Sequence, residues 1–237
     1  ENDIMALNEG LMKRVFQQVL GVELETPFQR LPYTEAMGRF GSDKPDTRFG
    51  LELMDVTHAV QGCQFAVFQN AVAAGGTVRA ICVKGAAASL SRKEIDKLVE
   101  VAKTYGAKGL AYTRWTAEAR SSSFEKFLTE EETAALEAAV GMQQGDVLLI
   151  AADADWEKAC TVLGAVRLAV GEKLGLIDKD KFNFLWVTDF PLFEYSEEEG
   201  RYMAKHHPFT MPREEDLDKV ETEQGACRAK AYDMVLN

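Results

Sequence analysis

Three stretches carry residues whose types and spacing could do chemistry. The adjacent pair His206–His207 lies in "GRYMAKHHPFT", and the chain has one other histidine, His58. If that stretch is a strand, neighbouring side chains face opposite sides. The two imidazoles are then badly placed to chelate one metal ion, and one should face a pocket. Lys205 and Arg201 in the same stretch favour an anionic ligand there. Asp233 sits in the apolar run "AYDMVLN", a carboxylate that is either exposed at an edge or turned into a site, with Asn237 four residues on expected to share its face. The third stretch, "RFGSDKPDTRFG" (39–50), sets Ser42, Asp43, Lys44 and Asp46 between two Phe. Gly41 and Pro45 suit a tight turn, while the charges suit a loop over a charged substrate.

Other candidates read as scaffold. Asp189 in "VTDFP" is a turn residue at a strand end, Glu197–Glu199 form a solvated hairpin tip, and "AAGGTVR" lacks the helix and Lys-Ser/Thr of a phosphate loop. Ser121–Ser123 has no nearby His-Asp partner for nucleophilic catalysis. Four widely spaced Cys form neither a zinc motif nor a disulfide framework, which points to a reducing cytoplasm. A net charge of −11 argues against a surface built mainly to hold nucleic acid, DNA included, and no apolar run is long enough for a membrane span.

The positioning elements follow from periodicity and caps. Ile4, Leu7, Leu11, Val15 and Val19 form one face of an opening helix that Gly21 stops, and Thr34 can cap a short helix ending near Phe40. Residues 64–72 and 77–85 read as a β-hairpin. A helix capped by Ser91, a strand at 109–116, a helix opened by the Thr129–Glu132 spacing, an apolar central strand at 146–153 and a helix capped by Asp155 come next. This order predicts a two-layer α+β domain at 61–178, with helices over one face of a largely antiparallel sheet. The flanks 1–60 and 179–237 are each too short to bury a good core alone, so they are expected to form one discontinuous domain around the insertion.

"MGRFGSDKPDTRFGLEL", "LSRKEIDKL", "YGAKGLAY", "FLWVTDFPLFEY", "KHHPFTMP" and "AYDMVLN" resemble, in order and spacing, the bacterial-type aspartyl-tRNA synthetases along the whole chain. The resemblance implies an inserted domain shared with the B subunit of glutamyl-tRNA amidotransferase, set into part of an antiparallel class II catalytic sheet. It implies a parent enzyme, a cytoplasmic homodimer, that uses ATP and Mg²⁺ to activate aspartate and transfer it to tRNA. His206 is then expected to contact the substrate aspartate and His207 to support the pocket wall. Asp233 is expected to help hold Mg²⁺ at the ATP phosphates, and Ser42, Asp43, Lys44 and Asp46 to line the active-site entrance. The family's anticodon-binding barrel and its ATP-gripping motifs have no counterpart in these residues, so the fragment alone is expected to be inactive and to hold neither ATP nor Mg²⁺ stably. The rival expectation is a non-catalytic module that positions tRNA or a partner subunit.

Overall fold

The computed structural model describes all 237 residues, and the chain divides into two compact units, Glu1–Ala36 with Asp180–Asn237, and Met37–Lys179. The middle unit therefore starts near residue 37, whereas the sequence reading opened it at 61; residues 37–60 are packed with it. In chain order the elements begin with α1 (Asn2–Leu20), β1 (Gln29–Pro32), α2 (Tyr33–Phe40), β2 (Met54–Asp55), α3 (Thr57–Val60) and α4 (Ala66–Ala73). They continue with β3 (Thr77–Val83), α5 (Arg92–Thr104), β4 (Ala111–Trp115), β5 (Arg120–Ser122), α6 (Glu130–Val140), β6 (Val147–Asp153) and α7 (Trp156–Lys173). The last four are β7 (Phe184–Thr188), β8 (Phe193–Ser196), β9 (Arg201–Ala204) and β10 (Tyr232–Leu236).

In the middle unit five antiparallel strands lie in the order β2-β3-β6-β4-β5, with the apolar β6 at the centre as its composition predicts. The caps hold as read. Thr129 and Glu132 exchange both capping-box hydrogen bonds, and the Asp155 carboxylate accepts from the backbone N–H groups of Glu157 and Lys158. Residues 64–72 depart from expectation: they form α4, and β3 pairs with β2 and β6 instead of with a hairpin partner. A short apolar run suits a buried helix as well as a strand, and here Phe68 and Ala71 face the core one helical turn apart. The sheet is covered on both faces, not one. Val78, Ala80, Cys82, Leu148 and Ile150 join residues of α3, α4 and α6 in one cluster, so alternation sends Ile81, Val83, Val147 and Leu149 to the opposite face, where α7 packs along β3 and β6.

The turn-rich segment 41–52 belongs to this unit and is fastened to α7. The Arg167 side chain, 1% exposed, donates from Nε to Leu51 O (3.0 Å) and from one terminal nitrogen to the carbonyls of Asp46 (3.0 Å), Phe49 (2.9 Å) and Gly50 (2.8 Å). Its guanidinium lies 3.9 Å from the Phe49 ring centroid and 5.1 Å from that of Phe40. Burial pushes its pKa down to about 10, opposed by the charges of Asp46 and Glu52, so it remains a cation at neutral pH. One turn earlier on α7, Gly164 lets the backbone of Gly41 (φ +70°) close in: a Cβ built on Gly41 would stand 2.6 Å from Gly164 Cα. At the base of the segment Arg39 grips Glu52 through two hydrogen bonds of 2.8 and 2.7 Å, and Leu53 N–H donates to Arg39 O.

In the other unit β7 lies between β1 and β10, parallel to the first and antiparallel to the second, so one pairing departs from the antiparallel expectation. The opening helix is present and Gly21 caps it in the left-handed conformation, but it is rotated from the expected orientation. Ile4, Leu7, Leu11, Val15 and Val19 are 41–74% exposed, while Met5, Met12 and Phe16 face the cluster of Phe28, Trp186 and Phe184. Both stripes are apolar, and a polar contact selects between them: the Trp186 indole N–H donates to buried Glu9 at 2.8 Å. The short helix α2 begins at Tyr33, one residue before its expected cap.

Two glycine substitutions should separate close approach from helix propensity. Gly164→Ala places a Cβ 2.8 Å from the Gly41 carbonyl carbon and is expected to lower stability by about 3 kcal/mol. Gly10→Ala, in α1 with nothing within 4 Å, should raise it by up to about 1 kcal/mol, both read from urea unfolding midpoints. Arg167→Met leaves the four loop carbonyls without their donor and is expected to cost about 3 kcal/mol or more in the same titration.

Candidate functional site

The predicted site residues divide between the units, with His206, His207 and Asp233 in one and Ser42, Asp43, Lys44 and Asp46 in the other. His206 and His207 lie in a bend just beyond β9 and not within the strand, because β9 ends at Ala204; the strand-alternation argument therefore does not apply to them. Both are exposed. The His206 ring stands edge-on to buried Phe190, with centroids 5.1 Å apart, and Phe190 packs on Tyr33 at 5.3 Å. Lys205 caps this stack, its ammonium donating to Tyr33 Oη at 3.3 Å and lying 5.1 Å from the same ring. His207 turns the other way: its Nδ1 accepts from Phe209 N–H at 3.2 Å, and the Phe209 ring is 89% exposed. Arg201 pairs with Glu199 at the hairpin tip and not with the imidazoles.

The histidine segment is held at both ends. Lys205 N–H donates to Leu192 O, Arg213 N–H to Arg228 O, and Lys230 N–H to Met211 O. Behind it, Asp216 is completely buried and accepts from Arg228 Nε (2.7 Å), Lys219 Nζ (2.8 Å) and Arg228 N–H (3.1 Å). These bonds, the Arg228 side chain foremost, hold its carboxyl far below the usual carboxylate range. Asp189, read as a plain turn residue, has φ +57° and forms a 2.5 Å ion pair with Arg213 while accepting from Thr188 Oγ1 at 2.9 Å. Arg213, Asp216 and Arg228 were absent from the sequence reading. Their only signal was an alternation of charges within 213–230, which is indistinguishable from a solvated face.

Asp233 projects from the edge strand β10, exposed and without a hydrogen bond or ion pair, opposite Val187 of β7. Asn237 does not join it: past the strand end at φ +73°, it exchanges hydrogen bonds with Asn183 and serves closure of the sheet edge. In the loop, Ser42 Oγ accepts from Lys44 N–H at 3.0 Å, a local turn bond. Burial pushes the Asp46 carboxyl up, but hydrogen bonds from the Arg48 side chain and backbone outweigh it, leaving Asp46 below its ordinary value and committed to Arg48. Asp43 and Lys44 pair only with each other at 3.0 Å near the surface.

A two-unit chain with an inserted antiparallel module and a braced, exposed imidazole segment defines a multidomain protein whose middle part has a known type: residues 68–163 match the family model described as the GAD domain. Along its whole length the chain is similar to bacterial aspartate–tRNA ligases. It is 56% identical over 237 residues to the aspartate–tRNA ligase of Agathobacter rectalis, covering 100% of this chain and 39% of that one. It is 53% identical to the aspartate–tRNA(Asp/Asn) ligase of Lachnoclostridium phytofermentans, with the same coverage, and 53% identical to the aspartate–tRNA ligase of Geobacillus kaustophilus, covering 40% of it. The chain thus spans about two fifths of the length of these relatives.

The buried Asp216 sets an acid dependence. A carboxyl whose folded pKa lies below its unfolded value contributes stability that is present above about pH 4 and lost as pH falls towards the folded value. Asp216→Asn should melt at a lower temperature than the parent chain at pH 7, and the gap between the two melting temperatures should narrow progressively as pH falls below about 4.

Proposed function

We propose that this chain is the aspartate-contacting and inserted part of an aspartate–tRNA ligase, and that alone it does not catalyse the reaction. The carrying observation is identity of 56% extending over 100% of the chain to such a ligase. In that reaction an aspartate α-carboxylate oxygen attacks the α-phosphorus of ATP and pyrophosphate leaves. A terminal ribose hydroxyl of tRNA then attacks the aspartyl carbonyl and AMP leaves. Positioning and charge neutralisation dominate both steps.

His206 contacts a carboxylate of the substrate aspartate, a role supported by its exposed ring held edge-on by Phe190. His207 supports the pocket wall through its bond to the Phe209 backbone. The unpartnered Asp233 carboxylate fits a share in an Mg²⁺ site completed by ATP phosphates and water, since Mg²⁺ takes only one or two protein carboxylates. Mg²⁺ bound there supplies charge neutralisation at the phosphates. Lys44, exposed beside Asp43, faces the acceptor end of tRNA at the active-site entrance, while Ser42 and Asp46 shape the loop. The whole enzyme is a cytoplasmic homodimer; no helix here is long and apolar enough to cross a membrane.

The second reading, a tRNA- or subunit-positioning module without catalysis, is favoured by the middle unit having its own buried core. ATP–pyrophosphate exchange with aspartate distinguishes the two. The isolated chain should show no exchange, and turnover near that of a whole ligase would overturn its inertness. In the whole ligase His206→Ala should lower exchange about 100-fold, and unaltered exchange would return the chain to the module reading. Lys44→Ala there should leave exchange intact and reduce transfer to tRNA; no effect on either step would leave the loop a turn.

A further inference from the structure

The five-stranded sheet of the middle unit opens, between the start of β4 and the end of β6, into a cleft of about 460 Å³, within the range of small-ligand sites. The opening follows from register. β4 pairs with β6 only from Ala111 opposite Ile150 onward, whereas β3 accompanies β6 on its other edge as far as Asp153. Three residues at the end of β6 are therefore paired on one side only.

The backbone of Ala152 is aimed into this gap. Its partner across β3, Val78, directs both polar groups the other way: Val78 N–H donates to Thr57 Oγ1 at 3.0 Å, and Val78 O accepts from Val56 N–H at 3.0 Å. Val78 and Ala152 are thus a non-hydrogen-bonded pair, so the N–H and C=O of Ala152 point to the β4 edge. Asp146 shows the same parity there, its carbonyl accepting from Trp115 N–H at 3.1 Å. Continued register would set Gly109 opposite Ala152, yet no hydrogen bond joins them, and both residues line the cleft. Phe65, Phe68 and Leu110 make its apolar wall, and Lys108, whose ammonium has no hydrogen bond or ion pair, stands at its rim.

We propose that this gap is a strand-addition site that takes a short extended peptide segment carrying an apolar side chain beside an acidic group. The donor and acceptor on one residue match the N–H and C=O of a single extended amino-acid residue, which exchanges both bonds in an antiparallel pair. A residue directly opposite Ala152 shares its face, and Ala152 packs on the side of Phe65 and Phe68, so the ligand's apolar side chain meets that wall. The unpaired Lys108 selects the acidic group in a chain of net charge −11.

The test is amide hydrogen exchange by NMR on the whole 237-residue chain, with acetyl-Leu-Phe-Glu-amide as the probe. Ala152 N–H should exchange much faster than Ile150 N–H in the free protein, and probe at about ten times its Kd should slow it about tenfold. The same peptide N-methylated at Phe should bind about tenfold more weakly, and Lys108→Glu should weaken the unmodified peptide several-fold. Equal binding of the N-methylated peptide, an Ala152 amide already as protected as Ile150 in the free chain, or protection by AMP but not by the peptide would each overturn the proposal. Lys108 is exposed, so its variant should keep the fold, and the methylated peptide tests the site without changing the protein.

Discussion

The cationic side chain of Arg167, buried in the middle of α7, is the constraint on which much of the middle unit depends. A guanidinium with 1% exposure has to find acceptors, and it finds them in four carbonyls of the 46–51 loop rather than in a carboxylate. That choice dictates the path of residues 46–51, including Leu51 at φ +68°, a conformation an unbraced leucine avoids. It also ties the loop to the helix that covers one face of β3 and β6. The loop is therefore rigid where its composition suggests freedom, and most of its polar groups are consumed in shaping it. Asp43 and Lys44 are what it leaves for an outside partner.

The other unit solves a similar problem with Asp216 and Glu9. Asp216, gripped by Arg228 and Lys219, anchors the return segment against which residues 205–213 are laid, so that the histidines stand on a braced backbone though the segment has no regular structure of its own. Exposed reactive side chains on a well-supported loop are the arrangement binding sites favour. Glu9 acts at the level of packing: its bond to Trp186 decides which of two apolar stripes of α1 is buried.

Much of the local structure was legible without coordinates. Ser91, Thr129, Asp155 and Gly21 sit at helix ends as their side-chain and backbone chemistry requires, and the unbroken apolar run at 147–151 marks the central strand. The histidine pair, Asp233 and the loop were singled out, but which of them remain available was not legible. Ser42 and Asp46 are spent on local bonds, Asn237 on Asn183, and the histidines sit two and three residues beyond the strand they were assigned to.

The sequence alone determined several helix ends, the central strand and the similarity to aspartate–tRNA ligases, because these depend on signals spanning a few residues or on the order of many short motifs. Only the tertiary structure decided that 64–72 coils into a helix, that helices cover both faces of the sheet, that α1 turns its aliphatic stripe outward and that the end of β6 has no partner on its β4 side. The physical reason is distance along the chain. Arg167 reaches carbonyls 116 to 121 residues away, and Trp186 reaches Glu9 across 177. Such contacts override periodicity and propensity, which weigh only near neighbours.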